Sequence, residues 1–407
     1  MGKQRILIVS NRVPYPLNDG GSLAIHAMLE GYHKAGWEVY FFSMNTSRHY
    51  APVNELPPLY RQIGFDTFDI DTNVRLMPTL RNFFFSRKPN HVDRFYDKNF
   101  ASKLQSVLSM FEPDFVQLES LYLATYIPVI REQAQATVTL RLHNIEYQIW
   151  ERLSGDLSTS FKKFYLKDLA ARIRKFEQYA WKQADVLLPI TQSDAEIVRA
   201  TGVDKPLIVA PFGIRRSQKR ATSKEQWVGY HIGAMDWIPN AEAITWFLEE
   251  VWPELHKQQP GFQFHFAGRN MPGSFQKYEH DGVTCAGEVA DADDFIADKK
   301  ILIVPLHSGG GVRIKILEAM AAGKLVISTS IGMQGIDGVQ AGKHYLQAET
   351  TEEFIAAVNW VLKHKEEAQA MAGTASEVVL EFYDQEKIMD RIVNGLQQIR
   401  VDRNMNI

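Results

Sequence analysis

The sequence predicts an α/β fold with two domains, and three observations lead to this expectation. The chain has 407 residues, well above the ~150 that one domain usually accounts for, so two hydrophobic cores are expected. Short runs rich in Val and Ile alternate with longer segments of helical period, a pattern typical of a parallel sheet covered by helices. The alternation stops once, in the polar segment 214–226, and then starts again, so this segment is interpreted as the linker between the domains.

The first domain is expected to span residues 1–214. Its strands are predicted at RILIVS, EVYFFS, DFVQLE, TVTLRL, DVLLPI and PLIVAP. Its helices are predicted near 22–35, 98–111, 120–133, 160–182 and 192–201. Thr191 is suited to be the N-cap of the last of these helices.

The second domain is expected to span residues 227–382. Its strands are predicted at WVGYHIG, FQFHFAG, VTCAG, KILIVPL and KLVIST. Its helices are predicted near 240–257, 312–322 and 351–363, and a last helix is predicted near 385–399.

Composition excludes several classes of protein. Hydrophobic residues at 45% and charged residues at 23% indicate a folded globular chain. The formal charge of −3 gives no overall basic field, so no nucleic-acid partner is expected. The single cysteine, Cys285, excludes an intrachain disulfide framework and a multi-cysteine metal site. The sequence contains no signal-like segment and no apolar run of ~18 residues, so a cytoplasmic location is expected.

The most informative segment is ILIVPLHSGGGVRIKILEAMAAGKLVIST, residues 301–329, which predicts a strand, a glycine turn, a helix and another strand. A glycine turn at a helix start lets backbone N–H groups approach an anion, most naturally phosphate. The candidate contacts are Gly309, Gly310, Gly311 and Val312 through the backbone, and Arg313 and Lys315 through their charge. Glu318 follows in the helix and can accept hydrogen bonds from two ribose hydroxyls. A structural glycine turn followed by a solvated helix remains the alternative.

Two further candidates lie in the first domain. Gly20 and Gly21 stand at a predicted helix start and allow a second close approach of the backbone, although a plain tight turn explains them equally well. His143 and Glu146 follow a predicted strand, at the edge where open α/β sheets bind ligands. His143 is therefore a candidate partner for a ligand hydroxyl, with a structural histidine as the alternative.

The segment 301–329 resembles the donor-binding segment of nucleotide-sugar-dependent glycosyltransferases with the GT-B fold, in particular the retaining family 4 group. In that family two Glu residues eight positions apart bracket the donor, and the second contacts the ribose. Glu318 matches the second, whereas Gly310 stands where the first is expected. A subset of the family that has the pattern G-G-G-V-R-I-K in this place resembles the sequence more closely. The family's basic pair after the first strand of the second domain has no counterpart in IGAMDWIPNAEA, so Arg313 and Lys315 are the expected partners of the diphosphate.

The resemblance extends over nearly the whole chain and implies two Rossmann-like domains facing across a cleft. The C-terminal helix, about 383–400, is expected to cross back to the first domain. The first domain would hold the acceptor and the second the donor. The resemblance also implies catalytic roles for His143, Arg313 and Lys315, and places Gly268, Gly287 and Val289 near the nucleobase.

The implied activity is retaining transfer of a hexose from a UDP- or GDP-sugar to an acceptor hydroxyl, in the biosynthesis of a cell-surface glycan or glycolipid. The acceptor would be a glycan or a lipid-linked molecule, and neither a metal nor a cofactor is expected. Two alternatives stay open: a noncatalytic nucleotide-sugar-binding partner, suggested by the missing first Glu, and a GT-B nucleotide-sugar epimerase.

Two stretches of the first domain are locally basic. Residues 75–103 and residues 162–182 each hold seven Lys or Arg side chains against two acidic ones. Such stretches indicate peripheral contact with anionic lipid at the inner face of the plasma membrane, or simply solvated helix faces.

Overall fold

The structure, a computed structural model, describes residues 3–17, 20–47, 50–71, 90–155, 161–214, 226–280 and 282–405. The chain forms two compact units. The first contains Met1–Gly213 together with Gln385–Ile407, and the second contains Ile214–Asp384. The C-terminal helix therefore belongs to the first unit.

The described part of the first unit contains a six-stranded sheet. Its strands are β1 (Arg5–Ser10), β2 (Glu38–Thr46), β3 (Gly64–Ile70), β4 (Phe115–Leu118), β5 (Thr137–Leu142) and β6 (Val186–Pro189). Its helices are α1 (Gly20–Lys34), α2 (Asn90–Asp93), α3 (Lys98–Phe111), α4 (Ile127–Gln133), α5 (Glu146–Gly155), α6 (Phe161–Gln183) and α7 (Gln192–Ala200). All strands are parallel, in the order β3-β2-β1-β4-β5-β6 that is typical of a Rossmann fold.

The described part of the second unit has the same architecture. Its strands are β7 (Gln226–Ile232), β8 (Phe264–Ala267), β9 (Val283–Gly287), β10 (Lys299–Val304), β11 (Leu325–Ser328) and β12 (Leu346–Gln347). Its helices are α8 (Ile238–Trp246), α9 (Trp252–Gln258), α10 (Ala292–Ile296), α11 (Ile314–Ala321), α12 (Thr351–Lys363) and α13 (Lys365–Phe382). The order β12-β11-β10-β7-β8-β9 is again parallel. Counted from β7, it repeats the strand order of the first unit.

The last helix, α14 (Gln385–Met405), packs against α1 within the first unit. Gly31 of α1 faces Met389 of α14, and a Cβ at that glycine would overlap the Met389 side chain. Ile388, Met389 and Ile392 of α14 are buried in the same cluster as Ile25 of α1. Each such buried aliphatic side chain contributes about 1.5–3 kcal/mol. This burial holds the C-terminal helix on the first unit, as the resemblance implied.

Some predicted elements differ from the structure. PLIVAP is not a strand, since only Leu207 forms a bridge, to Leu187 of β6. The backbone of this segment still bonds to β6, since Ile208 donates to the Leu187 carbonyl and Ala210 donates to the Pro189 carbonyl. Pro189 of β6 has no N–H to donate to the Ile208 carbonyl, and this interrupts the ladder. Strand β3 was missed because it lies at the sheet edge, where GFDTFDI alternates apolar and polar residues instead of forming a continuous apolar run. The sequence patterns also missed helices α2, α5, α10 and α13 and the two-residue strand β12.

Candidate functional site

The glycine turn of the second unit lies where this fold binds ligands. In a Rossmann sheet the strand order reverses between the first and fourth strands, and ligands bind beyond the carboxyl ends at that point. In the second unit these strands are β7 and β10, which pair directly. The turn with Gly309 to Gly311 follows β10, and the segment with Trp237 follows β7.

The turn itself requires glycine at two positions. Gly309 has φ 111° and Gly311 has φ 82°, in the left-handed region that disfavours other residues. A Cβ at Gly309 would also lie 2.9 Å from the Trp237 ring, whereas a Cβ at Gly310 or Gly311 would meet nothing within 4 Å. All three glycines are exposed. The turn therefore offers open, accessible backbone at the start of α11, with half-buried Val312 between the turn and the helix.

Arg313 is folded beneath this turn and is 5% exposed. Its Nη1 donates to the carbonyl of Gly310 at 2.7 Å and also to the carbonyl of Gly311. Its Nε and Nη2 are buried and have no hydrogen-bond partner among the described residues, and Cζ lies 5.5 Å from the Trp237 ring centroid. Burial lowers the pKa of Arg313 to about 10, so the guanidinium stays charged at neutral pH. The site thus contains a desolvated cation with two unused donors.

Lys315 is held by two neutral acceptors. Its Nζ lies 3.0 Å from Nε2 of His231 and donates to Oδ1 of Asn240 at 3.0 Å. Nδ1 of His231 lies 2.8 Å from the Ile303 carbonyl, which can only accept, so Nδ1 carries the proton and Nε2 accepts from Lys315. Burial, assisted by the charge of Arg313, lowers the pKa of Lys315 to about 7. An ammonium has three donors, and one remains after these two bonds.

Glu318 lies one helical turn beyond Lys315 on α11. The residue is exposed, yet desolvation by the surrounding protein, followed by repulsion from Asp293, raises the pKa of its carboxyl to about 7. At neutral pH this carboxyl can therefore donate as well as accept hydrogen bonds.

The loops after β8 and β9 hold each other in place. Gly268 donates from its N–H to the Gly287 carbonyl at 2.8 Å, and a Cβ at Gly268 would overlap the Gly233 carbonyl. Gly287 has φ 67°. These glycines therefore have a structural role of their own beside the predicted role at the nucleobase. Val289 is half-buried in the same segment.

In the first unit, Gly20 and Gly21 are the first two residues of α1. His143 follows β5 directly, and Glu119 follows the neighbouring strand β4. Nε2 of His143 lies 3.0 Å from Oε2 of Glu119. Glu119 is 1% exposed, whereas the His143 side chain is 25% exposed. The predicted histidine thus reaches solvent at the carboxyl edge of the sheet with a buried carboxylate behind it.

Sequence reasoning missed the residues that support these side chains. They are Glu119 and Arg141 in the first unit, and His231 and Asn240 in the second. The available signal was a polar residue at every second position of otherwise apolar strands, as in Gln117 and Glu119 or Arg141 and His143. Alternate residues of a strand share one face.

The basic stretches are only partly described. Residues 75–89 lie outside the described residues, as does the Lys162 side chain. Of the others, Lys103 pairs with Asp66 at 2.6 Å and Arg172 pairs with Asp168 at 2.7 Å. Phe164 on α6 is 66% exposed. Among the described helices, none is both long enough and apolar enough to cross a membrane.

Part of the second unit is similar to a known protein family. Residues 228–364 match the family model described as Glycosyl transferases group 1. Over 402 residues the chain is 23% identical to an uncharacterized 44.6 kDa protein in the cps region of Klebsiella pneumoniae, covering 95% of this chain and 98% of that protein.

Solved structures share the fold over nearly the whole chain. A sucrose-phosphate synthase from Thermosynechococcus elongatus has a TM-score of 0.68 at 15% identity, covering 98% of this chain and 100% of that one. The Anabaena protein HepE in complex with UDP has a TM-score of 0.64 at 13% identity, covering 97% of this chain and 100% of that one. HepE is also solved with UDP-glucose. The chain thus has the GT-B fold, and residues 228–364 of its second unit are similar to the glycosyl transferases group 1 family.

Proposed function

We propose that the protein is a retaining glycosyltransferase that moves a hexose from a UDP- or GDP-sugar to an acceptor hydroxyl. The observation that carries this proposal is a pair of basic side chains at the switch point of the second sheet, buried Arg313 and half-buried Lys315. Burying two like charges side by side is costly, and a bound anion offsets that cost. The negative charge of a diphosphate complements the positive charge of Arg313 and Lys315.

The cations and the turn have complementary tasks in this proposal. The N–H groups at the start of α11 bind the diphosphate oxygens, aided by the positive end of the helix dipole. Two donor atoms of Arg313, Nε and Nη2, and one N–H of the Lys315 ammonium are left over among the described contacts, and these take up the charge that develops as the diphosphate leaves. No metal is required for this step. Turnover is therefore expected to persist in excess EDTA, and loss of turnover on chelation would contradict this part of the proposal.

Glu318 is assigned to the ribose of the donor. It lies one helical turn from Lys315, and its carboxyl can accept or donate a hydrogen bond at neutral pH. Gly268, Gly287 and Val289 are assigned to the nucleobase through backbone groups. Gly310 leaves the turn without the side chain that the family often has there, so backbone N–H groups at Gly310 and Val312 contact the hexose instead.

His143 is assigned to a substrate hydroxyl in the first unit, with Gly20 and Gly21 as a second close-approach site. The acceptor is a glycan or a lipid-linked molecule, and the product belongs to a cell-surface glycan or glycolipid. The relative in the cps region of Klebsiella pneumoniae and the UDP and UDP-glucose complexes of HepE support this direction.

A noncatalytic nucleotide-sugar-binding partner is the second candidate, because Gly310 stands where a Glu is expected. Both candidates bind nucleotide sugars, and only the transferase consumes them. A thermal-shift panel of nucleoside diphosphates and their hexosides identifies the donor, since a ligand at ~100 times its dissociation constant adds about 2.7 kcal/mol of stability. NMR spectroscopy of the same mixtures with candidate acceptors then shows whether sugar is transferred, and the anomeric coupling of the product shows whether configuration is retained.

A further inference from the structure

A buried polar network lies behind His143 in the first unit. Strands β4 and β5 are parallel neighbours, with Leu118 opposite Leu140, so the residues after both strands emerge at the same edge. Glu119 and His143 meet there, Oε2 to Nε2 at 3.0 Å. Nη1 of Arg141 lies 3.4 Å from the same Oε2. Glu119 and Arg141 are each 1% exposed, so His143 is the member of this trio that reaches solvent.

The network continues into the core and to helix α1. Gln117 donates from Nε2 to Oε1 of Glu119, and the Tyr32 hydroxyl donates to Oε1 of Gln117 at 2.7 Å. Nη1 of Arg141 also donates to the carbonyl of Ala24 at 3.0 Å. Tyr32 and Ala24 belong to α1, the helix that begins with the predicted close-approach glycines. Through Gln117 and Arg141, the hydrogen bonds of Glu119 therefore link His143 to helix α1.

Such a network is costly to bury. A buried ion pair often contributes no more to stability than apolar residues of the same volume would. Burial by itself raises the pKa of the Glu119 carboxyl, but the charge of Arg141 and the hydrogen bonds from His143 and Gln117 outweigh it. The pKa is held below its usual value, so Glu119 is an ionised acceptor at neutral pH.

An ionised carboxylate can only accept hydrogen bonds, and this determines which nitrogen of the His143 ring carries the proton on the side of Glu119. Nε2 of His143 must carry the proton that lies between it and Glu119. Nδ1 is then left with its lone pair when the ring is neutral, and it has no hydrogen-bond partner among the described residues.

We propose that Glu119 is a positioning residue that keeps His143 with Nε2–H turned inward and Nδ1 free to accept a hydrogen bond from a substrate hydroxyl. This inference rests on the proposed function, because it gives His143 a substrate contact. It adds Glu119 and the Nε2–H tautomer, neither of which follows from the motifs.

The tautomer is measured directly by NMR spectroscopy of ¹⁵N-histidine-labelled protein, which needs neither a donor nor an acceptor. Comparison with His143→Ala identifies the resonances of this ring among the 12 histidines. In the parent protein we expect a protonated Nε2 and an unprotonated Nδ1. In Glu119→Gln the amide can donate as well as accept, so we expect a mixture of tautomers. An Nδ1–H tautomer in the parent protein overturns the proposal.

Kinetics tests the consequence for the reaction. Removing the partner that orients a metal-bound histidine typically costs about 10- to 100-fold, and a similar loss of kcat is expected for Glu119→Gln. Nucleotide affinity should not change. The matched control is Asp114→Asn, at the opposite end of β4, where Asp114 pairs with Arg400 at 2.6 Å. This control should retain the parental kcat.

The outcomes separate the positioning role from the proposed function. Parental kcat in a folded Glu119→Gln protein, with kcat lost in His143→Ala, overturns the role of Glu119 and leaves the transferase proposal intact. An Nε2–H tautomer with full turnover in His143→Ala overturns the substrate contact of His143. If Asp114→Asn loses as much kcat as Glu119→Gln, the loss reflects general destabilisation, and the positioning role is wrong.

Discussion

Lys315 is predicted to make nucleotide-sugar affinity depend on pH. With a pKa of about 7, Lys315 is mostly charged at pH 6 and mostly neutral at pH 8. At pH 8 about a tenth of the free protein carries the ammonium, so a ligand that needs this charge binds roughly tenfold more weakly than at pH 6, or about 1.4 kcal/mol.

The direction of the effect follows from the charges involved. A bound diphosphate favours the charged amine and raises its pKa, so binding at pH 8 takes up a proton. The pKa of Glu318 is raised to about 7, and this group titrates in the same range. The measurement is therefore made in a Glu318→Gln protein. Of Lys315 and residue 318, Lys315 is then the one that still titrates.

Titration calorimetry at pH 6, 7 and 8 gives the affinity, and two buffers of different ionisation enthalpy give the proton count. The ligand is a nucleotide sugar, whose diphosphate diester does not titrate in this range. We expect uptake of roughly 0.9 proton at pH 8. Lys315→Met keeps the length of the side chain without its charge. It should bind about 1.5–3 kcal/mol more weakly at pH 6 and show no pH dependence. Equal affinity at pH 6 and pH 8 in the Glu318→Gln protein that retains Lys315 would refute the reasoning.

Four further predictions concern Glu318, Arg313, Glu177 and the basic helix α6. Glu318→Ala should weaken nucleotide binding by about 1.5–3 kcal/mol in a thermal-shift titration, and unchanged affinity would exclude the ribose contact. Arg313→Ala should lower kcat more than nucleotide affinity, since it acts on charge that develops in the transition state, and equal losses would contradict that role. Burial raises the pKa of Glu177 to about 8, so its contribution to stability is full below the unfolded pKa near 4.5 and is lost as pH rises towards 8. Glu177→Gln should therefore match the parent in thermal melts near pH 5 and exceed it at pH 9, and a parental melting curve at both pH values would be inconsistent with this shift. Because α6 carries several exposed basic side chains and Phe164, vesicles with anionic lipid should float the protein at low salt and not at high salt. Absence of flotation at low salt would favour a soluble acceptor.

The part of the site that the sequence predicted is the part that is local in the chain. Gly309, Gly311, Arg313, Lys315 and Glu318 lie within ten consecutive residues, and one strand-turn-helix unit brings them together. The parallel sheets were predictable for a similar reason, because buried strands read as continuous apolar runs. Edge strand β3 lacks such a run and was missed.

The supporting residues depend on which strands become neighbours, and no local pattern specifies that. His231 and Ile303 are 72 positions apart and meet because β7 pairs with β10. Glu119 and His143 meet because β4 pairs with β5. No pattern in the sequence indicated that Arg313 donates hydrogen bonds to the carbonyls of its own turn. These contacts require the register of the sheets.

Binding of nucleoside diphosphates and their hexosides, followed by release of the free diphosphate, tests the central claim most directly. Calorimetry with UDP, GDP and their hexosides should find one nucleotide that binds, while the corresponding nucleoside without phosphates binds far more weakly. Release of that diphosphate from its hexoside in the presence of an acceptor should be lost in Lys315→Met. A folded protein that binds none of these ligands at millimolar concentration would contradict the account.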